Sequence, residues 1–544
     1  MDSTWQSDRL LRGLQAVCRP VHILLVFAGV LLLRGITRGE FFFWSDEMHH
    51  AMDGALFRDL LVNLPRHPIQ YVYAYYAKYP AVSLPHWPPL FSLIQGVFFL
   101  IFGLSPWVSR LAILCFALMG AYFWYRIAER LGPRHRAFLS AVLLVCLPFI
   151  LIFERVTMLE IPALATTLGA IYYWLKFVET QRRRDLVLLA GFVTAAFLVS
   201  QLAIVLPFII VFDILLERRF ALLRRFDVWL ALVMSAAVVL PWYYLAFYTV
   251  RYWVARITGG DSFVFLSNSQ SYFYYVRALY HQLGVPLFCL SCAGIAIALL
   301  KWSRAHRFLL TWIVAGYLCF LLIGEKDSRH TMQWIPPLIY LAVVALETLL
   351  VSRKLAVVGS SVLALVFAVN AFRSERPIVG GASEVAQFVL SQPESDVVYA
   401  QGPLAADFIF YVRKFDPLRT HLVAQEKQIV VSGLGFKPQE VLHSTQEIVN
   451  FFETWGIRYA VIEDKDDVAH LDSMRQLLRS DRFEFVRSFP IYTNQPQFAG
   501  DHLCVYRFRG ELHRTNDTVY IPMLSLTHNI PVNLSRLAGR PWPN

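Results

Sequence analysis

PPLFSLIQGVFFLIFGL (88–104) is an apolar run opened by Pro88-Pro89 and closed by Gly103, and its reading decides the topology of the whole chain. Other apolar segments lie at about 20–36, 107–125, 137–153, 159–178, 186–199, 202–216, 228–247, 284–300, 308–324, 335–351 and 355–372. Basic clusters stand between them at Arg9/Arg12/Arg19, Arg126/Arg130/Arg134/Arg136, Arg182/Arg183/Arg184, Arg218/Arg219/Arg224/Arg225, Lys301/Arg304/Arg307 and Arg353/Lys354. Lys and Arg in short loops belong on the cytoplasmic side. If 88–104 crossed the bilayer, the first cluster would face all the others across it. If it lies at the interface or re-enters, all six share one side. The run is therefore read as a juxtamembrane helix, leaving about eleven crossings, the N-terminus inside and the C-terminus outside. Arg34 and Arg38, at the outer end of the first span, are exceptions to the charge rule. The segments 186–199 and 202–216 are short, and fusing them would flip every later cluster, so two spans are expected.

The composition agrees. Of 544 residues, 57% are hydrophobic and 16% charged, and mean hydropathy is +0.48, against about 45–50% and about 25% in soluble globular proteins. A soluble enzyme is excluded, and the 15% aromatic content suits many residues at lipid interfaces. The polar first twenty residues lead into an apolar stretch with no small-residue cleavage site, which reads as an uncleaved span. Cys115, Cys146, Cys289, Cys292 and Cys319 lie inside apolar segments, so no disulfide framework is expected, and Cys289 and Cys292 read as small apolar residues of a lipid-facing helix.

From Ser374 onward, short alternating runs (DVVYAQG 396–402, RTHLVA 419–424, RYAVIED 458–464, FEFVRSFPIYT 483–493, LCVYRF 503–508) are separated by amphipathic stretches at 405–415, 445–456 and 468–480. This pattern predicts a small α/β domain with a mostly parallel sheet. The expected organisation is a transmembrane module over 1–372, whose first outer loop with juxtamembrane helices spans 38–106, a soluble extracytoplasmic domain over 373–510, and an irregular tail over 511–544. VSGLGFKP (431–438) has two glycines of a dinucleotide fingerprint but lacks the third.

The densest chemical signal is FFFWSDEMHHAMDGALFRDLL (41–61), where Asp46 and Glu47 emerge from the membrane into a helical pattern. Paired carboxylates suit general-base work. Ser45 or Asp46 also reads as a helix cap with Glu47 in the first turn. Three further features fall on the same face: HWPPL (86–90) with His86, FERVTMLEIP (153–162) with Glu154, Arg155 and Glu160, and EKDSRHTMQWIPPL (325–338) with Lys326, Arg329 and His330. Acidic outer loops and one compact basic loop make a two-part site. The alternatives are that Lys326 and Arg329 snorkel to headgroups and that Glu160 complements a helix dipole. His49-His50 with Asp53 hints at a metal, but adjacent helical histidines diverge by about 100°, so no metal ligand is assigned and a divalent cation is left open.

This ordered set resembles the GT-C glycosyltransferases: D-E after the first span, H-x-P-P-L opening a juxtamembrane helix, F-G-x-S followed by Arg110, an acid at the second outer loop, and a late K-x-x-R-H loop ending in P-P. The nearest groups are the protein O-mannosyltransferases and the lipid A aminoarabinose transferase, and the likeness runs from residue 20 to about 340. The resemblance implies Asp46 as general base with Glu47 beside it, Glu160 (or its rival Glu154) as second acid, and Lys326 and Arg329 on the phosphate of a polyprenyl carrier. It implies an inverting hexosyl- or pentosyltransferase of the inner membrane and cell envelope, which passes sugar to a lipid, glycan or protein. The family pattern often has a Lys where this chain reads Ser200-Gln201; Arg155 or Arg251 is the substitute. The alternative function is a transporter or flippase of a lipid-linked sugar, against which the halves show no repeat. A receptor or scaffold would leave the carboxylates unexplained. No nucleic acid partner is expected.

Overall fold

The computed structural model describes residues 19–41, 44–257, 269–323, 326–350, 352–431, 439–464, 472–515, 517–521 and 529–540. The glycine-containing stretch 432–438 lies outside them, and so does the side chain of Arg251.

Every apolar segment is helical. In chain order the helices are α1 (Pro20–Leu33), α2 (Trp44–Asn63), α3 (Pro68–Lys78), α4 (Leu90–Phe102), α5 (Pro106–Leu131), α6 (Arg134–Cys146), α7 (Pro148–Glu154), α8 (Glu160–Thr180), α9 (Arg183–Val199), α10 (Val205–Leu216), α11 (Phe226–Ile257), α12 (Ser269–Lys301), α13 (Arg304–Leu321), α14 (Ile335–Leu349) and α15 (Arg353–Arg373). By length and composition, α5, α8, α11, α12, α14 with its leading 3-10 turn, and α15 are each fit to cross a membrane. The pair α6–α7, bent by 66° ahead of Pro148, adds one more if it is a single span. α1, α4 and the segment Gln201–Leu216 are apolar but shorter. The expected outer loop 248–283 is largely helix instead. α11 continues to Ile257, and α12 begins at Ser269 and breaks at Gly284 (φ 71°), two residues ahead of Pro286. A glycine there supplies the left-handed conformation that ends one helical segment before the apolar one starts.

The connections that carry the basic residues from Arg126 to Arg307 are tied together, with the end of α14, at one end of the bundle. Arg136 pairs with Glu347 at 2.7 Å, Arg307 with Glu217 at 2.6 Å, Arg130 with Glu179, and Arg225 donates to Gln181 at 2.6 Å.

Beyond α15 lies the α/β unit, with β1 (Val379–Gly380), α16 (Ala382–Leu390), β2 (Val397–Gln401), α17 (Ala405–Phe415), β3 (Leu422–Gln425), β4 (Val430–Val431), β5 (Gln439–Glu440), α18 (Thr445–Trp455), β6 (Tyr459–Glu463), α19 (Asp472–Leu478), β7 (Phe483–Pro490), β8 (Tyr492–Thr493) and β9 (His502–Phe508). The main sheet has the order β3-β2-β6-β9-β7. β2 is parallel to both β3 and β6, with Tyr399 opposite Ala424 and Ala460, while β9 runs antiparallel to β6 and β7. β2 and β6 are buried at every position, as their unbroken apolar runs require. The tail, expected to be irregular, carries a hairpin of β10 (Thr518–Ile521) and β11 (Ile530–Asn533) followed by α20 (Leu534–Leu537). Its alternation buries Ile521, Ile530 and Val532 against the domain.

This unit is clamped to α2 and α3. Arg413 of α17 grips Asp59 with two bonds of 2.8 Å, Tyr75 donates to the same carboxylate at 3.0 Å, and Arg419 donates to the Tyr71 hydroxyl at 2.6 Å. Phe41 packs edge-on against Phe410 at 5.1 Å. Glu40 accepts the Ala382 and Ser383 amides, both at 3.0 Å, and so caps α16.

Candidate active site

Asp46 stands in the first turn of α2, where the helix N-terminus favours a carboxylate. Its side chain is 36% exposed. Facing it is Arg329, in the 3-10 turn Ser328–Trp334 capped by Asp327, whose carboxylate accepts the Arg329 amide at 2.8 Å. The guanidinium is divided between three acids. Nε and Nη2 hold Asp327 at 2.7 and 2.6 Å, while Nη1 reaches Glu160 at 3.2 Å and Asp46 at 3.4 Å. Glu160 opens α8 and is buried. Three segments far apart in sequence thus bring three carboxylates onto one cation.

The floor of the site is the connection 79–89 laid along α2. Asp53 accepts the Ser83 amide at 2.8 Å and its hydroxyl at 2.5 Å, and the His49 ring bonds the Ala81 carbonyl. Burial pushes Asp53 up to about 7, against the pull of the Ser83 bonds. Trp87 lies between two imidazoles, 5.4 Å from the His50 ring and 4.6 Å from that of His86. Burial drives His50 down to about 3 and His86 to about 4, opposed by the charge of Asp46, which reaches both. The Gln201 amide donates to the His86 carbonyl at 3.0 Å. The turn that lacks a lysine therefore braces the histidine-bearing loop. From the α/β unit, Lys427 bonds the Tyr76 hydroxyl and the Pro80 carbonyl, and its burial lowers it to about 7.

Other expected site residues sit elsewhere. Glu47 is fully buried and accepts the Thr157 amide at 2.7 Å, so it organises the 154–160 loop rather than facing the cluster. Glu154 lies beside Arg155, not Arg329, and Arg155 donates to the Ala371 and Ser374 carbonyls at 3.1 and 3.0 Å. Of the two rival acids, Glu160 is the one beside Asp46. Lys326 turns back onto the end of α13, donating to Phe320 and Leu321 carbonyls at 3.1 and 2.7 Å and to Ile323. His330 shares a hydrogen bond of 3.0 Å with Tyr275 and stacks on Phe320. Asp327, which has no assigned role in the sequence reading, is the closest partner of Arg329. Among the described residues, no three His, Cys, Asp or Glu side chains converge to hold a metal ion.

Chemically, the cluster offers an accessible carboxylate to take a proton and a guanidinium edge, Nη1, whose partners at 3.2 and 3.4 Å are looser than those of its other two nitrogens.

Residues 86–245 match the family model of dolichyl-phosphate-mannose-protein mannosyltransferase. Among solved structures, ArnT from Cupriavidus metallidurans bound to undecaprenyl phosphate superposes with TM-score 0.59 at 16% identity, covering 91% of this chain and 99% of that one. The Archaeoglobus fulgidus oligosaccharyltransferase complexed with Zn and sulfate gives TM-score 0.55 at 13% identity, over 82% of this chain and 68% of that one. Its counterpart AglB, with an inhibitory peptide and a dolichol-phosphate, gives 0.52 at 13%, over 95% and 77%. No curated protein matches the chain.

Proposed function

We propose that this chain, which has the fold of the GT-C glycosyltransferases, is a membrane enzyme that moves a sugar from a polyprenyl-phosphate carrier to an acceptor hydroxyl on the extracytoplasmic face. The convergence of Asp46, Glu160 and Asp327 on Arg329 carries the reading. The gathering of the basic connections from Arg126 to Arg307 at one end supports the orientation, because short-loop cations mark the cytoplasmic side and the carboxylate cluster is built from the connections at the other end. ArnT with undecaprenyl phosphate and AglB with dolichol-phosphate support a carrier of this class.

In the proposed reaction Asp46 takes the proton of the acceptor hydroxyl as its oxygen attacks the anomeric carbon from the side opposite the phosphate. The bond from that carbon to the phosphate oxygen breaks, and the carrier phosphate leaves with the electron pair. Arg329 is the cation placed to receive it: Asp327 fixes two of its nitrogens, and Nη1 exchanges its carboxylates for a phosphate oxygen. Glu160 keeps the guanidinium turned toward Asp46.

Proteoliposomes holding purified protein and a polyprenyl-phosphate hexose or pentose, supplied with a cell-envelope extract as the source of acceptor hydroxyls, test this. Release of polyprenyl phosphate that depends on Asp46 is the expected result. Movement of the intact donor across the bilayer with no release would instead make the protein a flippase.

A further inference from the structure

A cavity of about 600 Å³ opens on the outside of the bundle between α1 and α15, lined by Phe27, Leu365, Ala368, Val369 and Phe372, with Arg34 and Arg373 at its end. Arg34 follows the last residue of α1, and Arg373 closes α15. Both are exposed, and neither makes an ion pair among the described residues. They stand at the end of the bundle that carries the acidic connections. There, cations run against the charge bias of membrane proteins, which is why Arg34 reads as an exception in the sequence.

A helix C-terminus attracts arginines for its own sake, but both of these termini are already served. The carbonyls of Ala371 and Ser374 at the end of α15 accept from Arg155, and Leu32 near the end of α1 accepts from Arg376 at 3.0 Å. Arg34 also lies close enough to Arg155 to repel it. Two outward cations thus remain over an apolar groove, with a third cation behind them. From Arg373 down to Leu365 is eight residues of helix, about 12 Å, so the groove ends within one leaflet of a hydrocarbon core about 30 Å thick. That depth suits a leaflet lipid rather than a long polyprenyl chain.

We propose that this groove is a binding site for an anionic phospholipid, one acyl chain lying against Phe27, Leu365 and Phe372 and the phosphate held between Arg34 and Arg373. The site is separate from the Asp46–Arg329 cluster and does not depend on the reaction assigned there.

Native mass spectrometry of the purified full chain, equilibrated with phosphatidylglycerol or phosphatidylcholine of matched acyl chains, reads the site directly. The wild type is expected to retain phosphatidylglycerol preferentially. Arg34→Gln with Arg373→Gln should cut that preference by about 10-fold, the scale of a lost charge-assisted contact, while Arg38→Gln, outside the groove, leaves it intact. Ala368→Trp fills the groove with both charges in place and should weaken retention as well, which keeps the test decisive if the double variant does not fold. An unchanged preference in the double variant or in Ala368→Trp overturns the proposal. So does an Arg34/Arg373-dependent preference for undecaprenyl phosphate over phosphatidylglycerol, which would make the groove a second carrier site.

Discussion

Arg329 serves three carboxylates with one planar fork, and a lysine cannot reproduce that. Arg329→Lys preserves the charge but gives up the paired hold on Asp327. Donor KM should rise several-fold, with Arg329→Ala worse. An unchanged KM and kcat in Arg329→Lys would reduce this turn to a membrane anchor. Asp46→Asn keeps the shape of the side chain and its place in the first turn of α2, yet it cannot take a proton. Turnover should fall by about 10²-fold or more with the fold retained, and near-normal turnover in the purified variant would leave Asp46 as a helix-start residue only. Glu47→Gln should cost less turnover, because its amide oxygen can still accept the Thr157 amide. Sequence places Asp46, Glu160 and Arg329 on three connections of one face, and the fold brings these three side chains together. Sequence could not show which neighbouring charges were already engaged. Lys326 is absorbed by helix-end carbonyls and Arg155 by the end of α15, partners that exist only once α13 and α15 are in place.

At the level of elements, α2 is the hinge pin between site and α/β unit, and its burial makes two kinds of test available. Asp59 and Arg413 are both almost fully buried. Removing one charge strands the other, so Arg413→Met should cost about 3–5 kcal/mol in unfolding experiments, and adding Asp59→Asn should recover much of that loss. No recovery would mean that Arg413 acts by packing alone. The second test is titration. His50 and His86 stay neutral in the fold down to about 3 and 4, whereas an unfolded histidine binds its proton near 6.5. Between those limits the unfolded chain holds more protons, so stability rises with pH across that window and is lost on acidification from about 6.5 toward 4. His50→Phe should flatten the dependence of the melting temperature on pH in that range, and an unaltered slope would show that other groups govern acid lability. None of this coupling is legible from sequence. The histidines stand out there, but their neutrality depends on Trp87 and the 79–89 connection closing over them.

For the whole molecule, the apolar runs and the strand-helix alternation were readable because each is a local period. β2, β6, α17 and α18 fall on the segments whose patterns predict them. What alternation does not encode is strand direction, and the antiparallel insertion of β9 between β6 and β7 depends on the reversed return of the chain from Phe498. Topology has a parity that the fold makes testable. The α/β unit is bonded directly to α2 and α3 through Arg413, Arg419 and Lys427, so the described residues of 44–78 and of 379–508 lie on one side of any membrane. An even number of crossings must separate them. The ten apolar segments from α5 to α15, taking α6–α7 as one, satisfy this, and an added crossing by α4 would not. Cysteines placed singly at the exposed positions Arg66, Arg134 and Asp481 in a cysteine-free background should therefore divide two to one: Arg66→Cys and Asp481→Cys react with an impermeant reagent in intact cells, and Arg134→Cys reacts only after the membrane is opened. The reverse pattern would put the carboxylate cluster in the cytoplasm. Opposite behaviour of Arg66→Cys and Asp481→Cys would make α4 a crossing helix, and the clamp between Asp59 and Arg413 could not then form.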